Sequence, residues 1–408
     1  MSESGFVILG GGMVAGYAAK QLVELGLKRG QLAILSADTS LPYERPPLSK
    51  GFLAGKDTED AIRINPEDFY REHGIETKLG CEVSTLDPKR KRLVLKSGGD
   101  FGFDKLIVAT GAHPRTLTIP GANLGNLHYL RSLADSKSIR RSAEHVKRAV
   151  VIGGGFIGME VAAVLAQKGI AVTMVLSEDR ILKRLFSPQM SAFFEAYYAA
   201  RDVRFLKSST VTELRGTGVV SFTVLADGQS VPCEIVIAGI GVRPATEMLA
   251  DSGVQVADGV TVNEYLKTSL PDIYAAGDVA NYQDLLFGKR RRVEHWDNAV
   301  SQGQYCARAL MGDQSPFKHV PYFFSDVFDL SYEYWGDSSG ADQIVHRDDL
   351  GSKSFSVWWL RQTRVVAVFT MNRPDEEREA APQWIEAKQT VSGAKLKDAS
   401  RPISEALV

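Results

Sequence analysis

The stretch Phe6–Gly16, FVILGGGMVAG, decides the fold of this chain. Four apolar residues predict a buried strand, three glycines follow at once, and an apolar pattern of helical period then runs to Gly26. Gly10, Gly12 and Ala15 occupy the G-x-G-x-x-G/A positions. In such a loop, backbone N–H groups approach a pyrophosphate and the positive end of the following helix faces its charge. The stretch therefore predicts a dinucleotide-binding site.

An acidic residue lies where this kind of site needs one. Asp38 follows Ala15 by 23 residues, just past the apolar run Leu32–Leu35. A carboxylate at that place accepts a hydrogen bond from a ribose 2′-OH. Glycines alone would equally fit a plain turn, but the order strand, loop, helix, strand and acid favours the dinucleotide site.

The same pattern returns at Ala149, where AVVIGGGFIGMEVAAVLAQKG repeats the first copy at an offset of 143 residues. Gly153, Gly155 and Gly158 complete G-x-G-x-x-G, and Glu178 follows Gly158 by 20 residues. Two copies predict two sites, one for a tightly bound flavin dinucleotide and one for a nicotinamide dinucleotide. The residues alone leave open which copy holds which.

Composition narrows the class of protein. A length of 408 residues favours two or three domains, and a net charge of −1 gives no field that would favour nucleic acid or membrane partners. The sequence has no run of 18 apolar residues and no signal-peptide pattern, so we expect a cytoplasmic location. Cys81, Cys233 and Cys306 include no close pair, so electrons must leave a flavin by a route other than a redox dithiol. We interpret each cysteine as a small apolar residue.

Several charged residues allow two interpretations. Arg45 and Lys50, within LPYERPPLSK, either face solvent or lie near a cofactor phosphate or ring. Glu160 either complements the dipole at the start of its helix or is the buried partner of a cation beside the flavin. The basic run Lys289–Arg292 is either a solvated turn or a docking patch for an acidic partner.

The remaining segments predict smaller features. Ile75–Leu79, Val83–Leu86 and Arg92–Leu95 are typical of short strands in an antiparallel insertion. A further strand ends in Gly277-Asp278, whose carboxylate suits a ribityl hydroxyl. Beyond Pro316 aromatic residues become frequent, which predicts a small separate α+β domain. We expect most of these rings in its core and one or two that cap the flavin or pass electrons.

Seven motifs, in order along nearly the whole chain, resemble those of one group of flavoenzymes. They are GGGMVAG, LPYERPPLSK, ATGAHPR, VIGGGFIGME, GIGVRPAT, DIYAAGDVA and RRVEHWDNAV. The group comprises the NAD(P)H-dependent FAD reductases of the putidaredoxin-reductase and oxygenase ferredoxin-reductase type. Monodehydroascorbate reductase and apoptosis-inducing factor share its fold.

The resemblance implies an α/β fold with two Rossmann-like dinucleotide-binding domains, as in glutathione reductase, plus a small C-terminal α+β domain. It implies an FAD-binding domain at residues 1–115 and 245–315, an NAD(P)H-binding domain at 116–244, and a C-terminal domain at 316–408 that covers the flavin.

The resemblance also assigns roles to individual residues. For FAD it implies Gly10, Gly12, Ala15, Asp38, Arg45, Lys50, Thr110, Gly111, Gly277, Asp278, His295 and Trp296. For NADH it implies Gly153, Gly155, Ile157, Gly158, Glu178, Gly241 and Glu294. Lys50, beside flavin N5 and paired with Glu160, would be the catalytic pair, and no metal is implied. Glu178 would repel a 2′-phosphate, which favours NADH over NADPH.

Two long segments are more similar to plant-type monodehydroascorbate reductase than to the ferredoxin reductases. They are VTMVLSEDRILKRLFSPQMSAFFEAYYAARDV and PYFFSDVFDLSYEYWGD. Two residues differ from those expected in monodehydroascorbate reductase and argue against that enzyme. Asp326 stands where that enzyme would have a substrate-binding arginine, and Phe324-Ser325-Asp326 resembles the W-S-D of ferredoxin reductases. Trp358 stands where a tyrosine would pass electrons to the ascorbate radical.

We therefore expect hydride transfer from NADH to FAD, followed by single-electron transfer to a [2Fe–2S] ferredoxin. Monodehydroascorbate or a quinone is the alternative acceptor. A hypothesis of another class is an NADH-responsive redox-sensing interaction protein in the manner of apoptosis-inducing factor. We expect a monomer or homodimer without nucleic-acid or membrane partners.

Overall fold

A computed structural model describes the backbone of residues 2–408 and the side chains of residues 5–408. The chain forms two compact units, each made of separate segments. The first comprises Met1–Pro46, Thr58–His113 and Val242–His319, and the second comprises Pro47–Asp57, Pro114–Gly241 and Val320–Val408. The predicted assignment of three domains to FAD, NAD(P)H and flavin cover stays a prediction.

The strands follow one another as β1 Ser2–Leu9, β2 Leu32–Leu35, β3 Glu76–Lys78, β4 Val83–Asp87, β5 Arg92–Leu95, β6 Asp100–Val108, β7 Ala112–Pro114, β8 Leu127–His128, β9 Arg148–Ile152, β10 Ala171–Val175, β11 Val203–Leu206, β12 Val211–Thr217, β13 Val219–Leu225, β14 Ser230–Pro232, β15 Ile235–Ala238, β16 Val242–Pro244, β17 Val256–Ala257, β18 Gly259–Thr261, β19 Ile273–Ala275, β20 Ala280–Asp284, β21 Lys289–Arg291, β22 Tyr322–Val327, β23 Leu330–Gly336, β24 Gln343–Arg347, β25 Phe355–Arg361 and β26 Arg364–Met371.

The α-helices are α1 Met13–Glu24, α2 Gly51–Ala54, α3 Glu67–Glu72, α4 Leu133–Ser142, α5 Phe156–Gln167, α6 Pro188–Ala199, α7 Trp296–Leu310, α8 Asp375–Glu386 and α9 Gly393–Lys397. Short 3₁₀ turns lie at Pro46–Ser49, Glu247–Leu249, Gly277–Val279, Leu350–Ser352 and Ile403–Ala406.

The first unit is built on a sheet of order β3-β2-β1-β6-β5-β4, with β19 also paired to β6. Strands β3, β2, β1, β6 and β19 run parallel. The side chains of β2, of β19 and of the carboxyl-terminal parts of β1 and β6 are apolar and mostly buried, as expected for a parallel sheet covered on both faces. The carboxyl ends of β1, β2, β6 and β19 therefore meet at one edge of this sheet.

One strand of the predicted antiparallel insertion is differently placed. Strands β4 and β5 do continue antiparallel from β6. Strand β3, however, pairs parallel to β2, with Ala33 opposite Glu76. The expectation for this strand was wrong because three half-buried residues show the same alternation in either orientation.

Helix α7 packs closely on α1 in the first unit. Gly303 lies so near α1 that an added Cβ would be 2.8 Å from the carbonyl oxygen of Val14. This close approach fixes the middle of α7 against the first turn of α1, next to the glycine loop.

The second unit contains a parallel sheet of order β11-β10-β9-β15-β8 and a small antiparallel sheet, β12-β13-β14. The carboxyl ends of β9, β10 and β15 again meet at one edge, with Val150 paired to both Thr173 and Val236. Each glycine stretch thus follows a strand that has a parallel neighbour on both sides, β1 in the first sheet and β9 in the second, as the repeat predicts.

The C-terminal part of the second unit forms a five-stranded antiparallel sheet, β22-β23-β26-β25-β24, followed by α8 and α9. Its rings are largely buried: Phe323, Tyr332, Tyr334, Trp335, Phe355, Trp358 and Trp359 are all less than 9% exposed. The prediction of an α+β region with an aromatic core is confirmed.

A buried ionic network joins the elements of this C-terminal region. The Glu377 carboxylate accepts hydrogen bonds from Arg347 Nε at 2.8 Å and Ser356 Oγ at 2.7 Å, and it also pairs with Arg373. Arg347 donates further to the carbonyl oxygens of Leu396, Asp398 and Arg401. The network therefore ties the last residues of the chain to β24 and α8.

Glu377→Ala is expected to destabilise this region by about 3–5 kcal/mol, because the buried Arg347 and Arg373 guanidinium groups would lose the Glu377 carboxylate, although Arg373 keeps its pair with Asp348. Asp375→Asn is the matched control, since its pair with Arg378 is exposed and should contribute less than about 1 kcal/mol. Urea unfolding followed by tryptophan fluorescence measures both, because four of the five tryptophans lie beyond residue 320. Equal midpoints for the two variants would contradict the role of the network.

The Glu377 carboxylate also makes the stability of this region depend on pH. Burial alone raises the pKa of Glu377, but hydrogen bonds from Arg373, Ser356 and Arg347 outweigh it and lower the pKa below the ordinary range. The carboxylate therefore contributes fully above about pH 4.3, the ordinary glutamate pKa, and its contribution is lost as the pH falls through the lowered folded value.

Candidate functional site

The first glycine of each loop is required by the fold itself. Gly10 has φ +124°, and an added Cβ would lie 2.1 Å from the carbonyl oxygen of Ala109. Gly153 repeats this arrangement with φ +108° and a distance of 2.2 Å to the carbonyl oxygen of Gly239. Only glycine fits between such a turn and the neighbouring backbone.

The second glycine of each loop has a different environment. Gly12 and Gly155 take ordinary φ values of −91° and −82°, so neither needs glycine for its backbone conformation. An added Cβ at Gly155 would meet nothing within 4 Å, and at Gly12 it would meet only the guanidinium of Arg45 at 3.6 Å. The space kept open here fits a ligand that approaches the backbone closely.

These two glycines are also the N-caps of α1 and α5, and neither helix has a side-chain cap. The first backbone N–H groups of both helices therefore lack the side-chain acceptor that normally satisfies them. A pyrophosphate at each loop would supply that acceptor, so both loops fit a dinucleotide.

The third position of each motif serves helix packing. At Gly158 an added Cβ would lie 2.4 Å from the carbonyl oxygen of Gly153, whereas the Cβ of Ala15 is accommodated with no exposure. Ile157, in the first turn of α5, is 43% exposed, which is unusual for a large apolar side chain beside a buried helix.

Each of the two acids follows the strand next to the one that leads into its glycine loop, β2 beside β1 and β10 beside β9. Asp38 lies in the loop after β2, where its carboxylate accepts hydrogen bonds from Ser40 N at 3.0 Å and Tyr43 Oη at 2.8 Å. Glu178 lies in the loop after β10 and its side chain is about half exposed. Each acid is thus at the carboxyl edge of its sheet, on the same side as its glycine loop.

Further predicted FAD residues lie at the carboxyl edge of the first sheet. Thr110 follows β6 and donates through Oγ1 to the carbonyl oxygen of Ala245 at 2.6 Å. Gly111, at φ +69°, and Gly277, at φ +77°, turn the chain where β6 and β19 end. Gly277 N–H donates to Gln302 Oε1 at 2.7 Å, and Asp278 follows it directly.

Residues at the start of α7 complete this group. Trp296 Nε1 donates to the Glu44 carboxylate at 2.5 Å, and Tyr17 Oη donates to the other oxygen of that carboxylate at 2.5 Å. The Tyr17 and Trp296 rings meet edge to face at 6.2 Å. Burial lowers the pKa of His295 and the carboxylates of Asp278 and Asp297 oppose it only in part, so His295 is neutral at pH 7.

The second unit holds the pair that the resemblance identifies as catalytic. Lys50 Nζ lies 3.2 Å from Glu160 Oε1 and 4.7 Å from the centroid of the Phe324 ring. Glu160 is only 6% exposed and also accepts hydrogen bonds from Ser49 Oγ and from Ser325 Oγ. Of the two interpretations of Glu160, the buried partner of a cation is confirmed, while the relation of Lys50 to the flavin stays a prediction.

Two predicted nicotinamide residues are less directly placed. Gly241, at φ +96°, lies beyond the carboxyl end of β15, and its carbonyl oxygen accepts a hydrogen bond from Arg115 N–H. Glu294 belongs to the first unit and pairs with Arg292 at 2.5 Å. Their contacts with a cofactor stay predictions.

The structure contradicts one of the two interpretations of the basic run Lys289–Arg292, the solvated turn. The run forms β21, paired antiparallel to β20, rather than a solvated turn. Arg290 donates to two backbone carbonyls, Arg291 pairs with Asp284 at 2.5 Å, and Arg292 pairs with Asp258 at 3.1 Å. The three guanidinium groups thus contribute to the fold of this loop, and the docking patch stays a prediction.

Several residues of these sites escaped prediction. Gln302 and Asn298 are buried on the same face of α7, and neither Gln302 Nε2 nor Asn298 Oδ1 has a hydrogen-bond partner within the described residues. The sequence did contain a signal for these two residues, because amide side chains four residues apart are unusual on the apolar face of a helix. Ser49, in a short 3₁₀ turn, and Ser325, in β22, bond Glu160 but gave no signal, because nothing in the sequence distinguishes either from an ordinary serine.

The chain belongs to the pyridine nucleotide-disulphide oxidoreductase family, whose model matches residues 5–303, and a reductase C-terminal model matches residues 322–407. It is an NAD(P)H-dependent FAD oxidoreductase, as its relatives among the ferredoxin and monodehydroascorbate reductases are. The predicted family, fold class and cofactors are confirmed.

Three relatives show the range of the similarity. The 5,5′-dehydrodivanillate O-demethylase ferredoxin reductase subunit of Sphingobium sp. (strain NBRC 103272 / SYK-6) is 38% identical over 406 residues, covering 98% of this chain and 97% of that protein. Peroxisomal monodehydroascorbate reductase 4 of Arabidopsis thaliana is 36% identical over 407 residues, covering 95% and 83%. The reductase in the crystal structure of the covalent putidaredoxin reductase–putidaredoxin complex is 33% identical, with a TM-score of 0.95 over 100% of this chain and 98% of that one.

The disulphide chemistry in the family name has no matching cysteines here. Cys233 and Cys306 are buried, Cys81 is half-buried, and all three are free thiols. Burial raises the pKa of each thiol, which disfavours the reactive thiolate. Among the described residues no group of histidine, cysteine and acidic side chains could hold a metal ion, and no helix is long and apolar enough to cross a membrane.

Glu160→Ala is expected to lower the free energy of unfolding by about 3 kcal/mol, because the Lys50 ammonium and two serine hydroxyls would lose a buried acceptor. Ser325→Ala removes one hydrogen bond and leaves the ion pair, so about 1 kcal/mol is expected. Urea unfolding of the FAD-loaded protein measures both. A Glu160→Ala midpoint equal to that of Ser325→Ala would show that the Lys50 pair contributes nothing.

Proposed function

We propose that this protein transfers electrons from NADH through FAD to a [2Fe–2S] ferredoxin. When bound, FAD supplies the chemistry of accepting a hydride and releasing electrons one at a time. The chain's own contribution is to bind and orient the two dinucleotides and to hold a positive charge at Lys50 Nζ. The paired Glu160 carboxylate keeps that charge fixed in place, as electrostatic stabilisation of a developing negative charge requires.

We assign FAD to the first glycine loop and the nicotinamide dinucleotide to the second. Polar groups around the first loop extend well beyond a pyrophosphate site, along the ends of β6 and β19 to the start of α7. The unsatisfied Gln302 Nε2 and Asn298 Oδ1 lie on α7 near this edge. Buried polar atoms without partners are rare in native proteins, so they support a long ligand here.

Gln302→Leu is expected to weaken FAD binding by about 5- to 100-fold, because the buried Gly277 N–H would lose its acceptor beside Asp278. Gln304→Leu, on the same helix and half-buried, is the control and should bind FAD as the wild type does. Titration of the apoprotein with FAD, followed by quenching of flavin fluorescence, gives both dissociation constants. Equal affinities would remove Gln302 from the site.

The environment of Phe324-Ser325-Asp326 on β22 supports a ferredoxin as the electron acceptor. Phe324 lies under Lys50 and Ser325 bonds Glu160, so this strand contacts the proposed catalytic pair directly. Asp326 is exposed next to them. A carboxylate at this place repels the anionic monodehydroascorbate radical, and this exposed charge is the observation on which the proposal rests.

Trp358 also argues against a small radical acceptor. The residue that would replace an electron-passing tyrosine is fully buried, with its Nε1–H bonded to Ser356 Oγ at 2.8 Å. A small acceptor in solvent cannot reach it. The ferredoxin reductase subunit at 38% identity and the putidaredoxin reductase structure agree with a ferredoxin partner for this chain.

NADH oxidation with a [2Fe–2S] ferredoxin and with enzymatically generated monodehydroascorbate radical tests the proposal. We expect fast turnover with ferredoxin alone. Asp326→Arg should raise kcat/KM for the radical at least tenfold and lower that for ferredoxin. Glu379→Arg, which makes the same charge change at an exposed position on α8, should change neither. Fast wild-type turnover with the radical and none with ferredoxin would overturn the proposal.

A further inference from the structure

The loop that follows β2 carries a carboxylate held by two separate helices. Glu44 accepts a hydrogen bond at 2.5 Å from Trp296 Nε1, at the start of α7, and another at 2.5 Å from Tyr17 Oη, in α1. Burial and the Glu44 carboxylate both raise the pKa of Tyr17, so its phenol stays a donor far above neutral pH. The Glu44 N–H also donates to the carbonyl oxygen of Ile62 at 2.7 Å. Glu44 therefore ties this loop to α1, to α7 and to the chain around Ile62.

The next residue along the loop reaches the first glycine turn. A Cβ added at Gly12 would lie 3.6 Å from Arg45 Nη2 and 3.8 Å from Arg45 Nε. This is the open side of the turn, where the first N–H groups of α1 have no side-chain cap. Guanidinium Nε–H and Nη–H groups form a planar fork that bonds two phosphate oxygens at once. Arg45 thus lies where a pyrophosphate would be bound.

The charge of Glu44 has the wrong sign for this place. Its two side-chain donors, an indole and a phenol, are neutral, so neither cancels the negative charge. A carboxylate one residue away from Arg45 repels a pyrophosphate by Coulomb's law. Charge alone therefore predicts that Glu44 weakens the binding of a dinucleotide, and any benefit must come from the position that it gives to its neighbour.

We propose that Glu44 is a positioning residue for Arg45. By fastening the loop to α1 and α7, its carboxylate holds the Arg45 guanidinium against the Gly12 turn, where the guanidinium contacts the pyrophosphate of bound FAD and slows its release. The negative charge thus serves to place a positive one. This inference rests on the assignment of FAD to the first glycine loop.

Release of FAD from the holoenzyme on dilution, followed by the recovery of flavin fluorescence, tests this proposal. Glu44→Ala should release FAD at least tenfold faster than the wild type, because Arg45 loses its fixed place. An effect of charge alone would instead slow release. Glu44→Gln should stay within about threefold of the wild type, because an amide can accept from Trp296 Nε1 and donate to Tyr17 Oη. Unchanged or slower release from Glu44→Ala would overturn the proposal.

A double-mutant cycle tests the link between the two residues. Arg45→Met should also speed release at least tenfold, and Glu44→Ala/Arg45→Met should be no faster than the faster single variant. Both single variants should show a weaker dependence of FAD release on salt than the wild type, because the guanidinium no longer meets the pyrophosphate. Glu24→Ala, which removes an exposed carboxylate from α1, is the control and should match the wild type. Effects that multiply in the double variant would overturn the role of Glu44 toward Arg45.

Paired substitutions at the second glycine of each loop test the assignment on which the proposal rests. Gly12→Val fills the space of the first loop and should yield protein without bound FAD, whereas Gly155→Val should retain FAD. The opposite pattern would overturn the coenzyme assignment, and this inference with it. Loss of FAD from Gly12→Val alone, together with wild-type release from Glu44→Ala, would overturn the inference and leave the assignment intact.

Discussion

Both dinucleotide loops depend on one steric constraint. Where β1 and β9 end, the chain passes so close to a neighbouring backbone carbonyl that no side chain fits, at Gly10 against Ala109 and at Gly153 against Gly239. The positive φ of these glycines turns each strand into a helix within three residues. The helices consequently begin at open, uncapped N-termini beside the carboxyl edge of a parallel sheet, which is the geometry that an anionic dinucleotide requires.

The buried Glu160 carboxylate is a second constraint on the structure, and it acts within the second unit. It sits in the apolar body of α5, where an unpartnered charge would be costly, yet it receives two hydroxyl groups and an ammonium from separate parts of the chain. Lys50 and Ser49 come from the short segment 47–57, and Ser325 comes from β22. One buried carboxylate therefore links the segment 47–57, α5 and a strand of the C-terminal sheet, and it orients Lys50.

The parts of the structure that local chemistry determines could be predicted from the sequence. Glycine spacing predicted both loops because the first glycine of each answers a short-range steric demand and the second leaves the backbone open to a ligand, and aromatic content predicted the core of the C-terminal sheet. The orientation of β3 could not be predicted, since its alternation is the same in a parallel and an antiparallel pair. The role of the arginines in Lys289–Arg292 could not be predicted either, because Asp258 and Asp284 acquire their places only through folding.

The segmented composition of the two units has a consequence for synthesis on the ribosome. The first sheet is incomplete until β19 is made, 165 residues after β6 ends, and α1 stays uncovered until α7 follows. By then the entire second glycine loop and its sheet have already emerged. All strands of the second unit's parallel sheet are therefore synthesised before the last strand of the first sheet. Until then, the incomplete first unit exposes apolar surface. Apolar surface that stays exposed during translation favours aggregation, and the first sheet of this chain cannot be completed until β19 has been made.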